Sequence, residues 1–338
     1  MKLQRGGWTW HLEDPSVLDP WADHIPDLIR NPVKRNGIRS IFKAEDSSGR
    51  IYFVKAEEKN DWLSRFRNRF FSKAESEYRS AQLLRDCGIP CAQYTAWGRN
   101  DRGDSIVVSR SLEGSVSAME LWYAEARFDE NLKQKWLDLF FDFALRFREH
   151  HLTHPDFHSA NVMLEPHTYL AAMIDTYGIH RELCFGESDL RAILAWLPPL
   201  RMDVPVPELA ARLEQTGLLK QNAETFLRDQ IRRSELRLEA EWEKRRKAQI
   251  LSGNSKFSHT VGNREYRHTL WYEPAPMPEE QELLQEEYLP EDAQKIWLDS
   301  FRDQLFCRKL EKVPLILEKN PGKYRIFSLL SKKNSYFC

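Results

Sequence analysis

Between Leu132 and His150 the chain carries Trp136, Leu137, Phe140, Phe141, Ala144, Leu145 and Phe147. At helical spacing these side chains cover too wide an arc for a helix that keeps one face in water, so the sequence predicts a helix in the middle of a helical layer. The remaining chain has to supply what covers it. A length of 338 residues suffices for one large two-lobed unit or two smaller domains.

Upstream the pattern changes to strands. Residues 1–27, rich in Trp, Asp and Pro, show no clean period and read as an irregular lead-in. Ile38 to Ala44, the turn residues Asp46 to Gly49, and Ile51 to Lys55 read as a β-hairpin, with Lys55 at the end of an apolar strand. A helix is expected over Lys73–Asp86, opened by a capping box at Ser72 and Glu75 and closed by Gly88 and Pro90. Ala74, Glu77, Ala81 and Leu84 share one face of it, so Glu77 is expected to point inward. A short strand, Ile106 to Val108, leads to Ser109, Arg110, Ser111 and Leu112. After the apolar helix comes the run from His154 to Asn161, then strands Val162–Leu164 and Leu170–Ile174, ending on Asp175. Beyond that, a charged run Ser234–Gln249, an acidic connector Glu273–Asp292 and a basic, aromatic end make residues 235–338 a charged helical C-terminal extension.

With 50 Lys+Arg against 51 Asp+Glu the net charge is near zero, and nothing global points to nucleic acid. The five cysteines fit neither a zinc ribbon nor a disulfide framework, and the first residues lack the apolar core of a signal peptide. No run reaches the length of a membrane span, so the protein is expected in the cytoplasm. His150, His151, His154 and His158 crowd together without a His-Glu-x-x-His frame, and no zinc site is expected from them.

Phosphoryl transfer from ATP needs a base at the acceptor hydroxyl, oxygen ligands for Mg2+ and a cation on the phosphates. Asp156 and Asn161 stand five positions apart, a spacing that lets one loop offer a carboxylate to substrate and an amide oxygen to a metal. A strand, a turn and a returning strand would then bring Asp175 back to Asn161. Strand-borne Lys55 and helix-borne Glu77 form the natural ion pair on the nucleotide phosphates.

At Tyr52 to Lys55, at segment 73–90 and at segment 154–165 the chain resembles the lipopolysaccharide kinase family of the protein-kinase-like superfamily, over roughly residues 28–200. That resemblance implies an α+β, two-lobed fold: an N-lobe of antiparallel sheet plus one helix with the hinge (28–112) and a mainly helical C-lobe (113–234), with ATP between them. It makes Asp156 the catalytic base, His154 the buttress of its loop, Lys55 and Glu77 the phosphate anchors, and Asn161 and Asp175 the Mg2+ ligands. Ser109, Arg110, Ser111 and Leu112 become the hinge beside adenine, Gly37 and Arg39, with Lys34, the nucleotide loop, and Asp189 a buried support of the catalytic loop. The acceptor implied is Kdo or heptose, a sugar of the lipopolysaccharide core linked to lipid A. The nucleotide loop holds a single glycine, so Lys34 or Arg39 is expected to take over phosphate contact. No Ala-Pro-Glu follows Asp175-Thr176-Tyr177-Gly178, which argues against a protein substrate. A small-molecule kinase of aminoglycoside or choline kinase type and a nucleotide-binding pseudokinase stay open as alternatives.

Trp62 to Phe71 interleaves aromatics with Arg65, Arg67 and Arg69, a pattern suited either to peripheral contact with anionic membrane or to packing with solvated arginines. If it meets membrane, reversing the three arginines to Glu abolishes co-sedimentation with anionic liposomes; unchanged binding rejects that role.

Overall fold

The computed structural model describes residues 1–36, 39–58, 72–252, 258–267, 283–305 and 312–330, and the chain is mixed α/β. It divides into two compact units, Met1–Trp196 and Leu197–Cys338. The division falls inside the segment 113–234 that the sequence suggests as one lobe.

The first unit is built on a seven-stranded antiparallel sheet in the order β1-β2-β6-β7-β5-β4-β3. Its strands are β1 (Lys2–Arg5), β2 (Trp8–Leu12), β3 (Lys34–Asn36), β4 (Arg39–Glu45), β5 (Ile51–Glu57), β6 (Tyr94–Asn100) and β7 (Ser105–Arg110). The expected hairpin is β4 and β5, paired from Arg39↔Glu57 to Glu45↔Ile51. Asp46 closes its turn, accepting from the Ser48 and Arg50 amides at 2.9 and 3.1 Å and from the Tyr52 hydroxyl at 3.0 Å. Burial opposes ionisation of Asp46, but these donors outweigh it and hold the carboxyl below the usual carboxylate range.

The lead-in is not irregular. Trp8, Trp10 and Leu12 alternate with Thr9 and His11 along β2, which pairs with β6 and buries its apolar side against Phe42, Tyr52 and Val54. Its period of two is too short to stand out, and its partners β1 and β6 become visible only in the fold. The two strands approach closely: a Cβ on Gly98 would stand 2.8 Å from the Trp10 ring.

Helix α1 (Lys73–Asp86) starts where Ser72 Oγ accepts from the Glu75 amide at 3.4 Å, and buries Ala74, Glu77, Tyr78, Ala81 and Leu84. The chain leaves it through Gly88, whose φ of +67° is the left-handed turn that favours glycine. Helix α2 (Glu130–Glu149) is capped by Asp129 and is enclosed as its sequence requires. Phe140 lies 4.2 Å from Trp136 and 4.7 Å from Trp196, ring to ring, and Phe157 stacks on Phe147 at 5.5 Å. Two short ladders follow, β9 (Leu152–Thr153) with β12 (His180–Arg181), and β10 (Val162–Leu164) with β11 (Ala171–Met173), while β8 (Val116–Ser117) flanks β10.

The charged run Ser234–Gln249 is helical as expected, but beyond it the described residues of the second unit depart from the expected charged helical extension. Helix α4 (Val206–Gln215) and helix α5 (Ala223–Glu241) are joined in it by a five-stranded antiparallel sheet. That sheet runs β13-β14-β16-β17-β15, with β13 (Ser258–Val261), β14 (Arg264–Arg267), β15 (Leu284–Tyr288), β16 (Lys312–Asn320) and β17 (Lys323–Leu330). Charges on the strands are paired across it, as in Arg264 with Glu318 at 2.5 Å and Lys312 with Glu286 at 2.6 Å. Trp297 and Phe301 of helix α6 (Pro290–Leu305) pack on Leu317 and Ile326. In the first unit, helix α3 (Glu187–Ile193) carries Glu187 and Asp189 in its first turn. No described helix is long and apolar enough to cross a membrane.

Because Trp10 is fully buried against β6, replacing it with Ala should lower the unfolding free energy by about 3–5 kcal/mol, read from urea melts. The half-exposed Leu3→Ala is the control and should cost far less.

Candidate functional site

Lys55 stands on β5 between Ile41 of β4 and Val107 of β7. Its Nζ lies 2.5 Å from Glu77 Oε1 and 3.4 Å from Asp175 Oδ1. Burial pulls the ammonium pKa down, but Glu77 and Asp175 outweigh it and leave the group above the ordinary lysine value. Glu77 projects from the buried face of α1 and is only 6% exposed. The Tyr94 hydroxyl donates to the same Oε1 at 2.8 Å. A carboxylate so enclosed is tolerable only with its charge matched, and removing one partner of a buried pair typically costs about 3–5 kcal/mol.

Asp175 follows β11. Its predecessor Ile174 donates its amide to the Asn161 carbonyl at 2.8 Å, which extends the β10–β11 ladder and brings Asp175 beside Asn161. Asp175 has φ +54°, a left-handed conformation that non-glycine residues rarely adopt and that a packed site must enforce. Asn161 is buried, and its Nδ2 donates to the Asp156 carbonyl at 3.0 Å, which turns Oδ1 the other way. The Asp156 side chain is 75% exposed, with His158 Nε2 at 3.6 Å. His154 is buried and its Nδ1 accepts from the Asp156 amide at 3.1 Å, so the ring holds the loop as a neutral imidazole with its proton on Nε2. Burial drives its pKa down to about 4.

A cleft of about 240 Å³ gathers Lys34, Arg39, Lys55, Lys73, Glu77 and Asp175. Glu57 lies between two of its cations, 4.0 Å from Arg39 Nε and 3.9 Å from Lys73 Nζ. The cluster supplies ammonium and guanidinium groups for phosphate oxygens, while Asn161 and Asp175 offer the hard oxygen donors that Mg2+ takes.

Not every expected residue comes to this cleft. Ser109 is buried in β7, Arg110 donates its amide to the Gln93 carbonyl at 2.8 Å, and Ser111 donates to Ile51 at 2.9 Å. Leu112 packs with Ile174 against the cluster of Ala74, Tyr78 and Val107. None of the four is among the residues lining the cleft that holds Lys55; Arg110, Ser111 and Leu112 line a separate hollow with Cys91 and Gln93. Gly37 and the run Trp62 to Phe71 lie outside the described residues. Asp189 is half-exposed and accepts from the Gly186 amide at 2.8 Å at the start of its own helix α3, where it caps rather than supports the loop. Sequence inspection misses Tyr94, Lys73 and Thr176. A buried tyrosine requires a partner for its hydroxyl, but which one is a tertiary matter.

No family model matches the chain, and no curated protein matches it.

The depressed His154 pKa has a definite sign. The unfolded chain binds this proton at an ordinary pKa of about 6.5 and the folded chain only near 4, so folding is favoured above that window and loses stability as pH falls through it. Urea unfolding measured from neutral pH down to about 4 should lose on the order of 3 kcal/mol from this group. The slope should flatten in His154→Asn, whose Oδ1 can still accept from the Asp156 amide.

Proposed function

We propose that the chain is an ATP-dependent phosphotransferase of two-lobed, protein-kinase-like architecture, with a hydroxyl on the Kdo or heptose of the lipopolysaccharide inner core as acceptor. The observation that carries the chemistry is the meeting of Lys55, Glu77 and Asp175, residues 22 and 120 positions apart in sequence, at 2.5 and 3.4 Å in a cationic cleft. Support for the architecture comes from an antiparallel sheet with helix α1 packed on it, followed by the enclosed α2 and the short ladders that frame Asp156, Asn161 and Asp175. The acceptor rests on the resemblance at Tyr52 to Lys55 and at segments 73–90 and 154–165.

In this reading Lys55, with Arg39 and Lys34, binds the phosphates, and Glu77 keeps the Lys55 ammonium in place and charged. Asn161 and Asp175 would hold Mg2+, which when bound neutralises phosphate charge. Asp156, exposed and anchored at its amide by His154 and at its carbonyl by Asn161, orients the acceptor hydroxyl and takes its proton as the oxygen attacks the γ-phosphorus. The γ-phosphoryl bond to ADP breaks as the new P–O bond forms, giving a phosphorylated sugar and ADP.

Mg·ATP consumption assayed with core oligosaccharides, aminoglycosides and choline tests the reading: only the oligosaccharides should stimulate turnover. Asp156→Ala should lower kcat by about 10²–10⁴-fold. Asp175→Ala should abolish turnover, whereas Glu75→Ala, whose carboxylate pairs with Arg79 at 2.6 Å on the outer face of α1, should retain most of it. Substantial turnover by Asp156→Ala would falsify the catalytic assignment.

A further inference from the structure

Glu77 receives more than its lysine. Oε1 accepts both Lys55 Nζ and the Tyr94 hydroxyl, and the Glu77 backbone carbonyl accepts from Thr176 Oγ1 at 2.8 Å. Tyr94 is 2% exposed and Thr176 fully buried. One turn further along α1, Ser80 Oγ donates to the Ile179 carbonyl at 2.8 Å, so the segment after Asp175 is tied to the helix at two points.

We infer that Tyr94 and Thr176 are positioning residues of this cluster: the Tyr94 hydroxyl fixes the Glu77 carboxylate on Lys55, and the Thr176 hydroxyl ties the helix carrying Glu77 to the segment carrying Asp175. In its catalytic consequence this rests on the phosphotransferase reading; the hydrogen bonds do not. A glutamate bonded only to an ammonium on a flexible four-carbon stem keeps freedom about its last torsions. A phenol held in a strand removes that freedom. Tyr94 sits on β6 in a cluster with Ala74, Tyr78, Ala81, Trp97 and Val107, so its oxygen is rigidly placed. Burial and Glu77 raise its pKa well above the ordinary tyrosine value, which keeps the proton on the hydroxyl and makes it a dependable donor. Thr176 adds the longitudinal constraint. It is the residue after Asp175, so a displacement of α1 is passed through one peptide unit to the strained Asp175 backbone.

Amide hydrogen exchange on the full chain, read by mass spectrometry in α1 and in the segment after Asp175, tests this without requiring any turnover. Thr176→Val, which keeps the shape and loses the donor, should raise exchange severalfold in both segments together, because the tie at the Glu77 carbonyl is lost. Thr176→Ser, which keeps the hydroxyl, should restore the parent pattern. Tyr94→Phe, which removes one oxygen and keeps the ring, should lower the folding equilibrium constant severalfold in urea unfolding and lower it no further in a Glu77→Ala background, where its acceptor is gone. A purely packing role predicts parent-like exchange in Thr176→Val and an equal Tyr94→Phe loss in both backgrounds, and either result overturns the inference. Where ATP turnover is present, Tyr94→Phe should lower kcat with the KM for the acceptor unchanged. Absence of turnover in the parent chain would remove the proposed function and leave hydrogen exchange and the unfolding cycle to decide the positioning roles.

Discussion

A lysine ammonium between two carboxylates, one of them enclosed, sets the demands that the rest of the first unit meets. Glu77 is 6% exposed, and a carboxylate in that position is costly unless a cation and hydrogen-bond donors reach it. Lys55 can reach it only if β5 lies between β4 and β7 with the side chain on the helix side of the sheet. Tyr94 can reach it only if β6 pairs with β7 beyond. Asp175 completes the arrangement only if the β10–β11 ladder delivers it. Sheet order, helix packing and ladder register are therefore conditions for one charge cluster.

Aromatic packing makes that placement rigid. The tryptophans of β2 and of the following turn close one face of the sheet, with Trp10 edge-on to Trp21 at 5.9 Å. On the other side of the cleft, Phe147 of α2 and Phe157 of the loop enclose His154, whose neutral ring anchors the Asp156 amide. Burial pushes both His154 and Lys55 toward their neutral forms, with opposite outcomes. It keeps His154 neutral as an acceptor, while at Lys55 two carboxylates overcome it and keep the charge. The same low-polarity surroundings fix a loop in one case and hold a charge cluster together in the other.

The second unit solves a different problem with similar means. Its strands carry many charges, and cross-strand pairing of Arg264 with Glu318 and of Arg325 with Glu287 at 3.1 Å satisfies them. Its apolar residues face helix α6 through Trp297 and Phe301. Glu265, only 3% exposed, is matched by Ser258, Trp297 and Lys319 in the manner of Glu77.

Local chemistry made several elements legible in the sequence. The capping box at Ser72 and the exit through Gly88 fix α1, the apolar arc fixes α2, and the 3.6-residue period turns Glu77 inward, because helix ends and faces depend on residues within a few positions. The β4–β5 hairpin is legible for the same reason, through its turn at Asp46. Tertiary structure alone decided the rest. β2 is held as a strand between β1 and β6, and β13 to β17 form a sheet because partners far along the chain neutralise their charges, whereas the charged run Ser234–Gln249 is helical as its spacing predicts. The Ser109 to Leu112 segment is held by backbone bonds to Gln93 and Ile51 and by packing of Leu112 with Ile174. Tyr94 and Thr176 acquire their roles only when Glu77 is brought to them. The sequence by itself determined which side chains carry charge and hydrogen-bonding groups; the fold determined which of them meet, because a buried charge selects its partners by distance in space, which sequence spacing does not record.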